Sequence, residues 1–310
     1  MLKFRILSKI FSSKCLLEPK KPKVVSQTIL NDDNTKRINE QMPVGSFYFS
    51  VDYKNSHGNY IRDSQNNDIL DMYTQIASIP LGYNNEYLKG IGKDEKMINY
   101  LINRPALGIL PPSDFNELLN DSVMKICPKG LDSVVTMMCG SCSIENAIKA
   151  AFFNYYEKKL GKNDFSPEEL ETCMLNKPPG CPDLTMLSFN GAFHGRTLGS
   201  LSLTRSKPIH KIGIPQFDWP MAKFPNIRYP IDAVENEAVN LQAVTESLDD
   251  VREKIREYLG KNRPIAGIIV EPIQCEGGDR FAPSYFFHQL QAICDENPAF
   301  FEAKKIRNPV

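Results

Sequence analysis

Apolar and polar positions repeat with two different periods along the chain. Residues 46–83 contain short alternating runs separated by the turn signals Asn-Ser-His-Gly and Gln-Asn-Asn-Asp, which predict strands joined by hairpins. Residues 84–101 and 113–126 instead show helical periodicity, with Ser113 as a candidate N-cap of the second helix. We therefore predict a small N-terminal region that mixes strands and helices.

From residue 131 onward, short apolar runs alternate with helical segments. The apolar runs predict buried strands at residues 133–138, 185–189 and 264–271. The periodic segments predict helices at residues 144–159, 238–259 and 285–296. Strands that alternate with helices favour an α/β fold, with a mostly parallel sheet flanked by helices on both faces.

Composition narrows the class of protein. The 310 residues are 42% hydrophobic and 24% charged, as in ordinary globular domains. Lys plus Arg equals Asp plus Glu at 37 each, so no overall field attracts nucleic acid or an anionic membrane. No apolar run approaches the roughly 18–20 residues that a membrane-spanning helix needs. We therefore predict neither a nucleic-acid nor a membrane partner.

The first residues differ in composition from the rest. Residues 1–17 contain no acidic residue, and their apolar and serine residues are interspersed with basic ones: Lys3, Arg5, Lys9 and Lys14. This pattern predicts a mitochondrial transit peptide over residues 1–20 and a location in the mitochondrial matrix, with a disordered basic tail as the alternative. The polar, Pro- and Lys-rich residues 21–45 are interpreted as a linker or arm.

A turn of small residues, 139–143, joins a predicted strand to a strong predicted helix. Small residues at a helix N-terminus leave backbone N–H groups free to bind an anion, and the helix dipole adds to the attraction. The Ser141 and Ser143 hydroxyls supply further donors. The turn therefore predicts a phosphate site, with a capped helix that binds no ligand as the alternative.

The same turn contains the close cysteine pair Cys139 and Cys142. The eight cysteines of the chain are too few for a disulfide scaffold, and the other spacings are irregular. A zinc site needs a second pair of ligands, and nothing lies at the spacing of a zinc ribbon or finger. A redox-active pair remains open.

Residues 191–197 hold an aromatic, an imidazole and a guanidinium group between two glycines. Glycine lets the backbone turn sharply and approach a ligand closely. Phe193 and His194 can stack on a flat ring, and Arg196 can hold a carboxylate with two parallel hydrogen bonds. The alternative is that Arg196 makes a structural salt bridge.

Two carboxylates, Glu271 and Glu276, come just after the predicted strand that ends at residue 271. Ligand sites of α/β proteins gather at the carboxyl ends of the strands, although such carboxylates are often only solvated. Farther upstream, residues 73–82 are interpreted from the residues alone as a strand that ends in a Pro-Leu-Gly turn.

Three motifs in order carry a specific resemblance: C-G-S-C, G-A-F-H-G-R-T and V-E-P-I-Q-x-E-G-G-D. Over roughly residues 44–295 the chain resembles the class III aminotransferases, which use pyridoxal phosphate, and in particular their branch that acts on 4-aminobutyrate. The resemblance implies the fold type I architecture of pyridoxal-phosphate-dependent transferases, which is an α/β fold. It also implies residues 46–110 as an N-terminal small-domain region and 111–295 as part of a large cofactor-binding domain.

The resemblance implies a role for each matching residue. Those implied to bind the cofactor, at its phosphate or around its ring, are Gly140, Ser141, Phe193, His194 and Glu271. Those implied to bind the substrate are Ile76, which lines the pocket, Arg196, which pairs with the substrate carboxylate, and Glu276. The residue matching Glu276 pairs with an active-site arginine and releases it when a dicarboxylate binds. Cys139 and Cys142 are implied ligands of a [2Fe–2S] cluster shared with the other subunit, with two free thiols as the alternative.

The implied activity is transfer of the amino group of 4-aminobutyrate to 2-oxoglutarate by a homodimer, giving succinate semialdehyde and glutamate. One alternative is a class III enzyme that acts on another ω-amine, such as ornithine. The other is a non-catalytic short isoform that pairs with full-length subunits or binds pyridoxal phosphate without turnover.

The resemblance breaks after Asp295. The aspartate that pairs with the pyridinium nitrogen and the Schiff-base lysine are expected beyond this point, and Lys304 and Lys305 stand in no matching context. Residues 296–310 are therefore interpreted as a divergent tail. The expectation is a truncated chain that is unstable alone or inactive, with its catalytic residues unknown.

Overall fold

The fold is described from a computed structural model, which describes residues 33–42, 47, 49–103, 110–160 and 164–297. The predicted transit peptide, Lys304 and Lys305 lie outside the described residues. The chain divides into two compact units, Met1–Asn116 and Glu117–Val310. In the described parts, no helix is both long enough and apolar enough to cross a membrane.

The N-terminal unit contains the predicted hairpin. Strands β1 (Tyr60–Arg62) and β2 (Asp68–Leu70) pair antiparallel, with Ile61 opposite Ile69. The Asp63 carboxylate accepts hydrogen bonds from the Gln65 and Asn67 amides and so fixes the turn between the strands. In its described part, the same unit contains three whole helices of six residues or more: α1 (Asp33–Gln41), α2 (Glu86–Ile91) and α3 (Glu95–Ile102). The prediction of strands joined by a hairpin is confirmed.

Both helices predicted in this half are interrupted. The segment 84–101 forms α2 and α3, because Asn85 and Asp94 each accept hydrogen bonds from the amides of a first turn and start a separate helix. The segment 113–126 forms α4 (Phe115–Asp121) and α5 (Val123–Ile126), which are separated at Ser122. Helical periodicity located these residues correctly but missed the internal caps.

The prediction of a strand at residues 73–82 is wrong, because part of this segment is helical. Thr74–Ala77 form a single helical turn whose four residues have φ between 48° and 57°, in the left-handed region. Each non-glycine residue there costs about 1–2 kcal/mol, so other contacts must hold the turn. The Asp71 carboxylate accepts from the Tyr73 and Thr74 amides at 2.8 and 2.9 Å, and it packs against Tyr83, whose hydroxyl donates to it at 2.6 Å. Local polarity alternation cannot anticipate such a turn.

The C-terminal unit is built on a parallel sheet. Its strands are β3 (Thr185–Phe189), β4 (Met221–Ala222) and β5 (Ile265–Ile268), in the order β4-β3-β5, and both neighbours run parallel to β3. The helices are α6 (Gly140–Leu160), α7 (Pro167–Cys173), α8 (Leu198–Leu203), α9 (Glu237–Gly260) and α10 (Ser284–Asp295). A short hairpin, β6 (Ile273–Gln274) and β7 (Arg280–Phe281), follows β5.

Successive residues of β3 point to opposite faces of the sheet, and each face has its own core. Leu187 and Phe189 are fully buried in a cluster with residues of α9 and α10: Val244, Leu248, Val251, Phe286, Leu290 and Ile293. Met186 lies on the other face, in a cluster with Ile148 and Ala151 of α6. Helices therefore cover both faces of the parallel sheet, which confirms the predicted α/β fold.

The prediction of a buried strand at residues 133–138 is also wrong. This segment belongs to no strand ladder in the part of the chain that the structure describes, and Val135 and Met138 are 77% and 85% exposed. An apolar run favours an extended backbone only locally. A strand also needs a neighbour that accepts and donates its backbone hydrogen bonds.

Candidate active site

Three segments predicted to carry chemistry meet at the carboxyl edge of the sheet. The loop that follows β3 reaches the loop that follows β5, because the Phe193 amide donates to Glu271 Oε2 at 2.8 Å. The same loop reaches the start of α6, because the Arg196 amide donates to Ser141 Oγ at 3.2 Å. The carboxyl end of parallel strands and a helix N-terminus thus form one site, as in other α/β proteins.

Two glycines allow these close approaches. Gly195 has φ +122°, and a Cβ there would overlap the Ser141 hydroxyl and lie 2.7 Å from Ser200 Oγ. A Cβ on Gly277 would overlap the carbonyl oxygen of Gly191, so the two loops pack backbone to backbone. The positions therefore need glycine for space, and Gly195 also needs it for its backbone conformation.

The buried side chain of Gln274 connects the loop after β5 to the loop after β3. It is fully buried, and its Nε2 donates to the Asn190 carbonyl oxygen at 2.9 Å. Asn190 Oδ1 in turn accepts from the Phe224 amide at 2.6 Å, so the loop after β3 is tied to the segment after β4. Both loops are thus held by the core rather than by solvent-exposed contacts.

The start of α6 has the features of an anion site. Gly140 opens this 21-residue helix, is exposed, and has open space within 4 Å of the position a Cβ would take. The positive end of the helix dipole attracts negative charge to this turn, where the Cys142 amide already donates to Cys139 Sγ. Ser141 Oγ accepts from Arg196, which leaves its own proton available for a phosphate oxygen.

An aromatic pair lies beside this turn. The Phe193 ring contacts the His210 ring edge to face, with centroids 5.3 Å apart and planes at 76°. His210 Nδ1 lies 2.9 Å from Ser206 Oγ, which orients the imidazole. His210 was not predicted as a site residue, since an isolated histidine in a loop carries no motif. It adds a second ring to the surface that Phe193 offers to a flat ligand.

The His194 side chain points inward. It is only 8% exposed, and its Nε2 has no hydrogen-bond partner among the described residues. Burial lowers the pKa of His194 to about 4, so the imidazole is neutral near pH 7. A buried ring nitrogen without a partner is a group that a bound ligand could satisfy.

We expect His194 to make the protein sensitive to acid. In the unfolded chain it takes up a proton below about pH 6.5, whereas the folded protein resists this down to about pH 4. Stability should therefore fall by about 3 kcal/mol as the pH drops from about 6.5 to about 4. Urea unfolding at a series of pH values measures this loss.

His194→Gln should remove that part of the pH dependence, whereas His288→Gln, at an exposed position, is the matched control. Burial raises the pKa of Glu271, which opposes the His194 effect in the same pH range, so the variants must be compared over the whole series. If the stability of the unsubstituted protein and of His194→Gln depends on pH in the same way, His194 is not the source of the acid sensitivity.

The two predicted carboxylates have different surroundings. Glu271 is half-buried, and burial raises its pKa. Glu276 is exposed and pairs with Lys207, with Nζ and Oε2 2.6 Å apart, and this hydrogen bond lowers its pKa. In the part of the chain that the structure describes, the partner of Glu276 is thus a lysine rather than the arginine that the resemblance implies.

Arg196 is positioned by its backbone and not by its guanidinium. Its side chain makes no ion pair with any residue that the structure describes, and the residue is exposed. Its positive charge still helps to lower the pKa of Glu276, after the larger effect of Lys207. The guanidinium is therefore available to a carboxylate ligand, and the alternative of a structural salt bridge finds no partner in these parts of the chain.

One residue that connects the site was not predicted. Glu145 of α6 accepts from the Thr197 hydroxyl at 2.5 Å and from the Ser200 amide at 2.9 Å, and so caps the start of α8. A Cβ on Gly199 would come within 2.9 Å of Glu145 Oε1. Glu145 follows Ser141 by four residues and so shares its helix face, which is the one hint that the sequence contains.

The cysteine pair lies at the same turn. Sγ atoms of Cys139 and Cys142 are 3.5 Å apart, and the Cys142 amide donates to Cys139 Sγ at 3.5 Å. This backbone hydrogen bond, together with the neighbouring thiol, lowers the pKa of Cys139. No group of three or more His, Cys, Asp or Glu side chains that could hold a metal occurs within the described ranges.

Two further features need separate description. Ile76 belongs to the N-terminal unit, where it is 75% exposed on the left-handed turn, and its assignment to a substrate pocket stays a prediction. A cavity of about 400 Å³ lies between the starts of α9 and α10 and is lined by Val234, Leu241, Pro283 and Tyr285 among others. None of the predicted site residues lines that cavity.

Comparisons with known proteins identify the family. A family model, aminotransferase class-III, matches residues 41–306. The mouse mitochondrial 4-aminobutyrate aminotransferase is 46% identical over 272 residues, which cover 88% of this chain and 54% of that protein. The 4-aminobutyrate aminotransferase of Dictyostelium discoideum is 49% identical over 258 residues, 83% of this chain and 51% of that protein.

Among solved structures, lysine aminotransferase from M. tuberculosis superposes with a TM-score of 0.66 at 27% identity, covering 84% of this chain and 57% of that one. The chain spans about half the length of the curated relatives it matches. The fold is that of the pyridoxal-phosphate-dependent aminotransferases, as predicted. With a family model that matches most of its length, the chain belongs to the class III aminotransferases.

Proposed function

We propose that a protein containing this chain transfers the amino group of 4-aminobutyrate to 2-oxoglutarate with the help of pyridoxal phosphate, with the Schiff-base lysine unassigned among residues 1–310. The observation that carries the proposal is the convergence at one edge of the sheet of a helix start, an aromatic surface and the Arg196 guanidinium, which has no ion-pair partner among the described residues. Relatives named 4-aminobutyrate aminotransferase support the choice of amine.

The residues present fit the cofactor. Gly140 and Ser141 would hold its phosphate through backbone amides and a hydroxyl, and Phe193 would cover one face of its ring. His194 has an unsatisfied buried nitrogen near this loop, and Glu271 holds the Phe193 backbone in place. When bound, pyridoxal phosphate supplies an electron sink for the carbon that carries the amino group.

Arg196 would orient the substrate. Its guanidinium makes no ion pair with a residue that the structure describes, so it can bind the carboxylate of 4-aminobutyrate with two parallel hydrogen bonds, which fixes both position and direction. The Glu276–Lys207 ion pair lies near Arg196, since the positive charge of Arg196 helps to lower the pKa of Glu276. We propose that Glu276 changes partner when a dicarboxylate such as 2-oxoglutarate enters.

Arg196→Lys tests this function. Lysine keeps the positive charge but loses the planar fork, so in a catalytically active protein that contains this chain the KM for 4-aminobutyrate should rise about 10–100-fold. The KM for an amine without a carboxylate should stay unchanged. Arg228→Lys, at an exposed position on the same unit, is the control.

A rise in KM for both kinds of amine would show that Arg196 acts through the fold and not through the carboxylate. Ornithine is the competing substrate to include in the same assays. A higher kcat/KM for ornithine than for 4-aminobutyrate would replace the proposed substrate while leaving the reaction class intact.

We also propose a homodimer in the mitochondrial matrix. The mouse relative is named mitochondrial, whereas the Dictyostelium relative is not. Fusion of residues 1–20 to a fluorescent protein, compared with a fusion in which Lys3, Arg5, Lys9 and Lys14 are replaced by glutamine, tests the targeting proposal. Sedimentation velocity of the purified protein tests the homodimer.

The [2Fe–2S] cluster stays a prediction. Such a cluster needs four thiolates, and this turn supplies Cys139 and Cys142 only. We propose that the other two come from a second chain, and no further candidate ligand joins the pair among the residues described. No step of the proposed reaction depends on it.

A further inference from the structure

A buried threonine holds the backbone of the loop that carries Arg196. Thr204 directly follows α8 and is fully buried. Its Oγ1 accepts from the His194 amide at 2.9 Å and lies 2.9 Å from the Gly195 carbonyl oxygen, to which it can donate. One hydroxyl thus contacts two consecutive residues of the loop, as an acceptor and as a donor, which an apolar side chain of the same shape cannot do.

The Thr204 hydroxyl proton has two acceptors within reach. The second is the Ser200 carbonyl oxygen at 3.2 Å, four residues back, which threonine side chains near helices often bind. That oxygen already accepts from the Thr204 amide at 3.1 Å, whereas the Gly195 carbonyl oxygen has no other donor among the described residues. Because a hydroxyl has one proton to donate, we assign it to Gly195.

The peptide bond that precedes Arg196 is then held at both ends. Its carbonyl oxygen, that of Gly195, accepts from Thr204, and its N–H, that of Arg196, donates to Ser141 Oγ at 3.2 Å. These two groups point in opposite directions from a planar unit, so the two contacts fix the orientation of the plane. The plane ends at the Arg196 Cα atom, and it therefore restricts where the Arg196 side chain begins.

Thr204 is itself fixed by its neighbours. Its carbonyl oxygen accepts from Lys211 Nζ at 2.7 Å, and its amide donates to carbonyl oxygens of α8. The next residue, Arg205, donates its amide to the Ala192 carbonyl oxygen at 2.6 Å. A β-branched side chain also has few χ1 rotamers. The hydroxyl therefore has a fixed position against which the loop is held.

We propose that Thr204 is a positioning residue, which orients the Arg196 guanidinium toward the carboxylate of the amino substrate. Thr204 does not touch the substrate and acts through the backbone of residues 194–196. This role rests on the proposed function, whereas the hydrogen bonds of the hydroxyl do not. Substrates that carry a carboxylate therefore depend on the hydroxyl of Thr204, and amines that lack one do not.

Thr204→Val keeps the shape of the side chain and removes the hydroxyl. In a catalytically active protein that contains this chain, the KM for 4-aminobutyrate should rise about tenfold, equivalent to the loss of one good hydrogen bond. The kcat should change little, and the KM for an amine without a carboxylate should stay unchanged. Thr204→Ser keeps the hydroxyl and should keep the KM of the unsubstituted protein.

Thr185→Val is the matched control. Thr185 is also fully buried, and its hydroxyl also contacts a backbone carbonyl oxygen, that of Pro264 at 3.2 Å, but it lies at the start of β3, whereas the loop follows the end of that strand. This variant should leave the KM for both kinds of amine unchanged. An equal rise in KM for 4-aminobutyrate in Thr185→Val and Thr204→Val would mean that loss of any buried hydroxyl has the same effect, and it would overturn the proposal.

A double-mutant cycle with Arg196→Lys separates an action through Arg196 from a general loss of structure. If Thr204 orients the guanidinium, Thr204→Val should have little further effect on the KM for 4-aminobutyrate in a protein that already carries Arg196→Lys. Equal rises in both backgrounds would overturn the proposal. Equal rises for amines with and without a carboxylate would do so as well.

Hydrogen exchange of the His194 amide provides a readout that does not depend on activity. We expect this amide to be protected in the unsubstituted protein and in Thr204→Ser and to exchange faster in Thr204→Val. Unchanged protection in Thr204→Val would refute the hydrogen bond. Absence of turnover of 4-aminobutyrate by the unsubstituted protein would refute the proposed function, and with it the role toward Arg196, while the exchange data still decide the hydrogen bond.

A second pair of variants serves if Thr204→Val does not fold. Thr204→Ser and Thr204→Cys both lack the methyl group and differ only in the γ atom, and a thiol is a weak donor and acceptor. We expect the KM for 4-aminobutyrate to rise in the cysteine variant alone. The same KM in both variants would overturn the proposal.

Discussion

Gly195→Ala is expected to lower the free energy of unfolding by about 2–5 kcal/mol. The added Cβ would overlap the Ser141 hydroxyl and crowd Ser200 Oγ, and the backbone at φ +122° strains any residue other than glycine. The loop and the start of α6 would have to separate, so binding of pyridoxal phosphate should weaken as well. Urea unfolding and cofactor titration measure the two losses.

Gly213→Ala is the matched control for this prediction. Gly213 also has positive φ, at +79°, but no atom lies within 4 Å of the position its Cβ would take. This variant should lose only the stability that backbone strain costs, about 1 kcal/mol of the free energy of unfolding, and should keep its cofactor affinity. Similar losses in both variants would mean that backbone strain, and not the contact with Ser141, decides the effect.

Glu145→Ala is expected to lower the free energy of unfolding by about 2–4 kcal/mol and to increase the mobility of the loop that carries Arg196. The substitution removes the acceptor for the Ser200 amide at the start of α8, and it leaves the Thr197 hydroxyl with Ser200 Oγ, 2.9 Å away, in place of the carboxylate. Chemical denaturation measures the stability, and the protection of the α8 amides from hydrogen exchange reports the loosening.

Glu145→Gln should recover about half of this loss, because its amide oxygen can still accept one of the two hydrogen bonds. Glu157→Ala, at an exposed position on the same helix, should change stability by less than about 0.5 kcal/mol. If Glu157→Ala proves as costly as Glu145→Ala, the loss reflects helix α6 itself and not the cap of α8.

Local patterns predicted the elements whose stability is local. Residues 144–159 and 238–259 were correctly predicted as helices, since each presents an apolar stripe to the sheet and contains no breaker. The strand at residues 185–189 was also correct, because its five apolar or small residues suit burial on both faces. The segment 133–138 has the same kind of pattern, and it failed because pairing with a neighbour is not a local property.

The motif residues were located by type and spacing, but their contacts were not. Gly195 was noted for its flexibility, whereas its role is to admit Ser141. Glu276 was expected beside an arginine and pairs with Lys207, which lies 69 positions away in the chain. Glu145 and His210 passed unnoticed, because a helix-surface glutamate and a loop histidine look ordinary until the chain folds around them.

The sequence by itself determined the α/β class, the main helices and the order of the three motifs, and through these the class III aminotransferase family. These properties depend on residue type and on spacing along the chain, which the sequence records directly. Only the tertiary structure decided which groups meet: Ser141 with the Arg196 amide, Phe193 with Glu271, and the two sulfurs of the turn. Such contacts join residues far apart in the chain or depend on the exact backbone path, and neither is written in local hydrophobic periodicity.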